Sequence, residues 1–358
     1  MRTIPNCVAA MVGSIPFRFQ LQFVAVRSVL AAPRRLALRL GRRLMVPGLS
    51  SLLLVGCGAT PGPPGLRPGG SPPLKVMASV LPVALFTRAV AAGCAQVDSL
   101  VPANLGPHDW QATPADLARL SQADVLVING LGLESHLDKL VDASGNAGLR
   151  QIDSSRGVTT IANPAAAPGE AHDHDHDHDH ASQHGPVNPH IWLDPRRAAQ
   201  QVVTIREGLI AADPACRSRY QANAAAFLTQ LDQLDRDLAG QFAPHAGRPL
   251  LAFHAIGPYV AQRYQLLNEA LVDDPDQAPS AADLERFSRR ASQSGARALV
   301  SEPQASSKAF VALATDLGLP LVSFDPLETA PADPSLAAAY YLSTMRRHGQ
   351  QLLQALGR

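Results

Sequence analysis

The chain is 358 residues long, 46% hydrophobic and 17% charged, with a formal net charge of +1. That apolar fraction builds a core and argues against a disordered chain, and the length suits two compact lobes. With 5% aromatic residues and no basic excess there is neither a stacking platform nor a positive field for nucleic acid, so none is expected as a partner.

Residues 2–43 carry basic side chains and no Asp or Glu. An apolar run from Leu44 follows and ends at Gly56-Cys57. A basic start, a short apolar stretch and a small residue form a secretory leader, too interrupted to span a bilayer. Leu54-Val55-Gly56-Cys57 resembles a bacterial lipobox. Residues 1–56 are therefore expected to be removed and Cys57 to be lipidated. The mature protein would be anchored in a membrane, facing the periplasm or cell exterior. The alternative is an apolar run that happens to end at a buried cysteine. A leader this long exceeds the usual ~15–30 residues, which places the expected translation start further downstream. Residues 57–73, rich in Gly and Pro, form a tether without a core.

A first lobe is expected over 74–214. Leu74–Val80 predicts a strand, Pro82–Ala92 a helix and Val97–Val101 a second strand. Thr113-Pro114-Ala115-Asp116 opens a helix with Thr at the cap and Pro at its first position. Asp124–Gly130 is a buried strand, Leu133–Val141 a helix and Gln151–Asp153 a short strand. This βαβα rhythm predicts a parallel sheet flanked by helices. Residues 163–188 show no apolar periodicity and contain the alternation HDHDHDHDH over 172–180.

Pro195–Ala211 predicts an amphipathic helix. The linking segment 215–243 predicts a longer one, with Tyr220, Phe227, Leu231, Leu234 and Leu238 on one stripe. A second α/β lobe follows over 244–358. Its expected strands are Pro249–His254, Gln265–Val272, Ala298–Glu302 and Pro320–Pro326. Its expected helices are Tyr259–Tyr264, one capped by Ser280 and running to Gln293, Ser306–Leu317 and Tyr340–Leu356. The fold class is thus α/β, with two lobes, each a mostly parallel sheet flanked by helices, joined by one long rigid helix.

Three histidines stand at places where such sheets bind ligands. His108 follows the second strand, His190 lies in Asn188-Pro189-His190-Ile191-Trp192-Leu193-Asp194-Pro195, and His254 ends a strand. Their wide separation excludes a local finger, so only a complete fold could gather them. Asp325 also sits at a strand's carboxyl end. Three imidazoles and one carboxylate make a tetrahedral site suited to Zn²⁺. His136, His245 and His348 sit in ordinary helix or loop contexts. None of Cys7, Cys57, Cys94 and Cys216 forms a CxxC pair, which leaves a thiolate zinc site unsupported. Cys94 and Cys216 are read as two separate buried thiols, with a disulfide in an oxidising compartment as the alternative.

These segments resemble the metal-binding solute-binding proteins of bacterial ABC importers. The resemblance is carried by Pro107-His108 with Thr113-Pro114-Ala115-Asp116, by Asn129-Gly130-Leu131-Gly132-Leu133-Glu134, by the Asn188–Pro195 motif and by Asp325-Pro326-Leu327. It runs from about residue 74 to the C-terminus. It implies two lobes on a long helix, with metal between them held by His108, His190, His254 and Asp325. It also implies an ABC permease and its ATPase as partners, and a monomer. Histidine rather than glutamate at the third position resembles the zinc branch, so Zn²⁺ is expected over Mn²⁺. The loop histidines His172, His174, His176, His178, His180 and His184 are expected to form a weaker, secondary metal site, because a flexible loop must be ordered on binding. The alternative is a merely solubilising loop.

The function expected is capture of zinc outside the cytoplasm and delivery to a permease, without catalysis. The alternatives are a manganese or other divalent-metal carrier, a zinc metalloenzyme, or an adhesin or storage protein on the same fold. Catalytic zinc keeps three protein ligands and an open position, which a fourth ligand would close. No HExxH or GxSxG segment is present, so hydrolysis has no motif to support it.

Overall fold

The computed structural model describes residues 72–134, 137–163, 185–272, 275, 278–303, 307–333 and 336–357. The leader, Cys57, nearly all of the tether, His136 and the loop histidines from His172 to His184 lie outside the described residues.

Strands β1 (Leu74–Ala78), β2 (Ala95–Ser99), β3 (Val125–Ile128) and β4 (Arg150–Asp153) form a parallel sheet in the order β2-β1-β3-β4. Helices α1 (Leu81–Ala91), α2 (Pro114–Leu120) and α3 (Leu137–Ala143) connect them. The second lobe repeats the plan. Strands β5 (Pro249–His254), β6 (Leu267–Val272), β7 (Leu299–Ser301) and β8 (Leu321–Ser323) are parallel in the order β6-β5-β7-β8. Helices α6 (Pro258–Tyr264), α7 (Ala281–Ser294) and α8 (Lys308–Asp316) make the crossovers. In both sheets the chain crosses from one side of the first strand to the other. That reversal opens a crevice at the strands' carboxyl ends, the usual ligand position in such folds.

The remaining described α-helices are α4 (Pro195–Ala212) on the first lobe, α5 (Arg217–Phe242), which joins the lobes, and α9 (Ala338–Leu356) on the second. The 26 residues of α5 span ~39 Å at 1.5 Å per residue. Its stripe of Tyr220, Phe227, Leu231, Leu234 and Leu238 is buried. The helix packs on α1 and α4 of the first lobe and on α6 and α9 of the second. One polar rivet strengthens this. The buried carboxylate of Asp235 on α5 accepts two bonds from Arg263 of α6, at 2.7 and 2.6 Å, and one from Arg196 of α4 at 2.9 Å. A fork-shaped guanidinium pair of this kind fixes direction as well as distance.

Two expectations need correction. Cys94 and Cys216 are not separate thiols but a disulfide, with Cα atoms 6.1 Å apart. Cys94 precedes β2 and Cys216 ends the 3-10 turn before α5, two points that only the folded chain brings together. Helix α3 begins at Leu137 rather than Leu133. Residues 131–134 form a turn in which Glu134 folds back onto the end of β3. Its Oε1 accepts the Asn129 amide at 2.8 Å and the Ser79 hydroxyl at 2.6 Å, and its Oε2 accepts the Gly130 amide at 3.0 Å.

Candidate metal centre

His254 is the last residue of β5 and fully buried. Side chains alternate along the strand. Leu251 and Phe253 enter the core beneath α7 and α8, while Leu250 and Ala252 join the larger core shared with the first lobe. His254 shares that inward face at the strand's carboxyl end.

His108 lies in the loop between β2 and α2, and both ends of that loop are tied. The Thr113 amide donates to Asp116 Oδ2 at 2.9 Å and the Asp116 amide to Thr113 Oγ1 at 3.3 Å, a reciprocal box around the expected Thr cap. Arg119 pairs with Asp116 and donates to the Ser99 and Leu100 carbonyls, returning the loop to the end of β2. The Ala103 carbonyl accepts the Ala330 amide at 2.6 Å, so the loop is also bonded to the second lobe.

His190 stands just before α4 and is held from every side. Asn129 Nδ2 donates to the Pro189 carbonyl at 3.0 Å, and its Oδ1 accepts from Gln201 at 3.0 Å. This use of Asn129 requires the turn after it. Gly130 has φ +83°, and a Cβ there would lie 2.4 Å from Asp153 Oδ1, so only glycine fits. Asn188 Oδ1 accepts both the His190 amide and His190 Nδ1–H at 3.0 Å. With Nδ1 protonated, Nε2 carries the lone pair that a metal would take. Asn188 Nδ2 donates to Ala255 at 2.6 Å, and Tyr259 of α6 donates to the Asn188 carbonyl at 2.6 Å. Trp192 Nε1 donates to the Pro326 carbonyl at 2.7 Å. One motif thus supplies a candidate ligand and joins the lobes. The base of the histidine-rich insertion lies beside it, zipped by an antiparallel bridge between Ala162 and Val187.

The fold brings His108, His190 and His254 together. One ligand nitrogen of each lies within 4.8 Å of the others. Asp325, the carboxylate expected as a fourth ligand, lies near Glu328 and Glu302 at this site. Its Oδ1 accepts the Leu327 amide at 2.9 Å. Leu327 is buried with φ +63°, a left-handed conformation that costs a branched residue about 1–3 kcal/mol. The Asp325 bond holds that turn, and the turn delivers Glu328. It is Glu328 whose Oε1 lies 3.0 Å from His190 Nε2 and 3.5 Å from His108 Nε2. Glu302, next after β7, is the second carboxylate the sequence did not single out. Its Oε1 accepts from His254 Nδ1 at 2.8 Å.

The electrostatics follow from this crowding. Burial pushes the His190 imidazole down, so it stays neutral and able to ligate at lower pH than a free histidine. Burial would raise Glu328, but His108 and His190 outweigh it and hold the carboxyl well below its usual range. Glu302 is pushed up to about 8, first by burial and then by the Glu328 charge. Asp325 is pushed up to about 6, mainly by burial. Three nitrogens and one ionised carboxylate converge here, a donor set that suits a tetrahedral borderline dication.

Comparison with known proteins agrees with this donor set. The zinc-uptake complex component A periplasmic family, ZnuA, matches residues 76–355. The high-affinity zinc uptake system protein ZnuA of Bacillus subtilis strain 168 is 27% identical over 314 residues, which is 87% of this chain and 97% of that one. The zinc-binding lipoprotein AdcA of Streptococcus pneumoniae R6 is 27% identical over 312 residues. The match takes in 87% of this chain and 60% of AdcA, so the chain spans only part of that relative. A crystal structure of ZnuA superposes with a TM-score of 0.67 at 28% identity, covering 80% of this chain and all of the other. A match over most of the chain, joined to two parallel sheets and a gathered histidine triad, shows that the protein belongs to the ZnuA family of periplasmic zinc-uptake components.

Proposed function

We propose that this chain captures Zn²⁺ outside the cytoplasm and hands it to the permease and ATPase of an ABC importer. The observation that carries the reading is the convergence of His108, His190 and His254 with Glu328 in a buried crevice between two lobes. In this reading those four residues are the zinc ligands, and Asp325 braces the turn that presents Glu328. Three imidazoles favour Zn²⁺ over Mn²⁺, which prefers oxygen donors. A fourth protein ligand fills the position a catalytic zinc would leave for water, which supports a carrier over a hydrolase. The names of the relatives from Bacillus and Streptococcus support zinc uptake. The lipobox and the lipoprotein relative support an anchor at Cys57, with the folded part acting as a monomer at the membrane surface.

The test is the set of His108→Ala, His190→Ala and His254→Ala variants, titrated with zinc against a competing chelator. Each single change should weaken the tight site strongly. Unchanged affinity in all three would remove the assignment.

A further inference from the structure

The gathered imidazoles differ in what faces their far nitrogen. His190 Nδ1 meets the neutral oxygen of Asn188 at 3.0 Å, whereas His254 Nδ1 meets the carboxylate of Glu302 at 2.8 Å. The side chains of His254 and Glu302 are 0% and 3% exposed, so water does not weaken this bond. The sheet itself sets the pair. Ala252 of β5 lies beside Val300 of β7 in parallel register. Two residues further on, His254 ends β5 and Glu302 stands just past the end of β7, continuing the same face.

We propose that Glu302 is a positioning residue that sets the metal preference of this site, favouring Zn²⁺ over Mn²⁺ by fixing and strengthening the Nε2 donor of His254. The inference rests on the zinc-carrier reading. A carboxylate that accepts the Nδ1–H selects the tautomer whose Nε2 lone pair points to the metal. It also draws the proton away and leaves more electron density on Nε2. A dication on Nε2 places positive charge beside the Glu302 carboxyl and favours its ionised form, so in the loaded site the bond is charge-assisted and lies in a low-dielectric interior, where such bonds are strongest. A stronger nitrogen donor benefits metals in the order in which they prefer imidazole. Zinc stands near the top of that order and manganese at its foot. Asn188 fixes a tautomer in the same way, but without the charge.

The experiment compares the full chain with its Glu302→Gln variant, titrated separately with Zn²⁺ and Mn²⁺ against a competing chelator. Glutamine keeps the shape and an acceptor oxygen and removes only the charge. The zinc dissociation constant should rise by about 10- to 100-fold. The manganese constant should change by less than about threefold, since that metal gains little from a stronger nitrogen. With Co²⁺ as a probe, the visible band of the tight site should shift while keeping tetrahedral intensity. Glu302→Asp, which restores the charge on a shorter arm, should recover part of the preference and carries the comparison if the Gln variant fails to fold. Equal losses for both metals would show a packing role and overturn the proposal, as would an unchanged zinc constant. A parent chain that binds no zinc tightly would instead overturn the carrier reading.

Discussion

The Cys94–Cys216 disulfide offers a way to separate the stability of this protein from its chemistry. The bond joins residues 122 apart in sequence. Closing a loop of that length removes about 16 cal/mol/K of entropy from the unfolded chain, or about 5 kcal/mol of stability at 25 °C. The bond sits at the amino-terminal end of the first sheet, next to Ala95 of β2. The gathered histidines lie at the carboxyl ends of the strands, and the five residues of β2 put ~16 Å between those two levels. Both cysteines are buried, so alanine in their place leaves only small voids. The double variant Cys94→Ala/Cys216→Ala should therefore lose about 5 kcal/mol and keep its zinc affinity. With a urea slope of about 3 kcal/mol/M, the unfolding midpoint falls by ~1.6 M. Reduction of the unaltered chain should give the same shift. A midpoint that moves by less than roughly 0.3 M would refute the chain-entropy reasoning on which the estimate rests. A parallel loss of zinc affinity would refute the separation of the bond from the site.

Other outcomes follow from the same geometry. Glu328→Ala should weaken zinc binding far more than Asp325→Ala in a chelator competition, because Glu328 touches two imidazoles whereas the Asp325 carboxylate accepts the Leu327 amide. Burial lowers His190 from its ordinary value of 6.5, so for this group the unfolded chain takes up its proton first and metal-free stability is lost as pH falls below about 6.5. Glu302, raised to about 8, acts the other way, because the folded chain takes up that proton first and gains stability as pH falls towards the ordinary carboxyl value of 4.5. Denaturant melts at stepped pH on the chain and its Glu302→Gln variant separate the two: the variant should lose stability more steeply between about pH 6.5 and 5, and equal slopes would contradict the opposition. Zinc affinity should likewise hold above that range and fall below it, since imidazoles must be neutral to ligate. Deleting residues 171–184 should leave one tight zinc equivalent by calorimetry and remove weaker ones. Loss of the tight one would make the tract a ligand of the main site. Cys57→Ser should move the protein out of the membrane fraction, and a protein that stays there would not be anchored through Cys57.

Periodicity and capping made most of the scaffold legible. Strand β5 was bounded at Pro249 and His254 from its apolar run, and the stripe on α5 was read residue by residue. The three histidines stood out because each followed or ended a segment that reads as a strand or precedes a helix. Glu328, the carboxylate beside two of them, did not, and the reason is local. Asp325 is the first carboxylate past β8 and looks the part. The deciding feature is the positive φ of Leu327, which turns the chain so that the next carboxylate, Glu328, faces the histidines. No propensity flags a leucine for that conformation. The disulfide was hidden for a different reason. Pairing depends on a Cα separation of 6.1 Å, which only the packing of α5 against the first lobe creates. Glu302 carried one usable signal, a carboxylate directly after a buried strand on the binding edge, and its meaning needed the register with His254.

The chain has two tryptophans, each two positions after one of the gathered histidines. Trp192 follows His190 by two positions, with its ring 5.3 Å from the imidazole. Trp110 follows His108 by two positions and is buried. The indole of Trp192 also bonds to the Pro326 carbonyl, at the head of the turn that carries Glu328. A dication held by His190 brings positive charge beside the Trp192 indole and so changes its emission. The protein therefore contains its own optical gauge of occupancy, readable as ultraviolet emission without a label, with a variant lacking the Trp110 indole to isolate the signal.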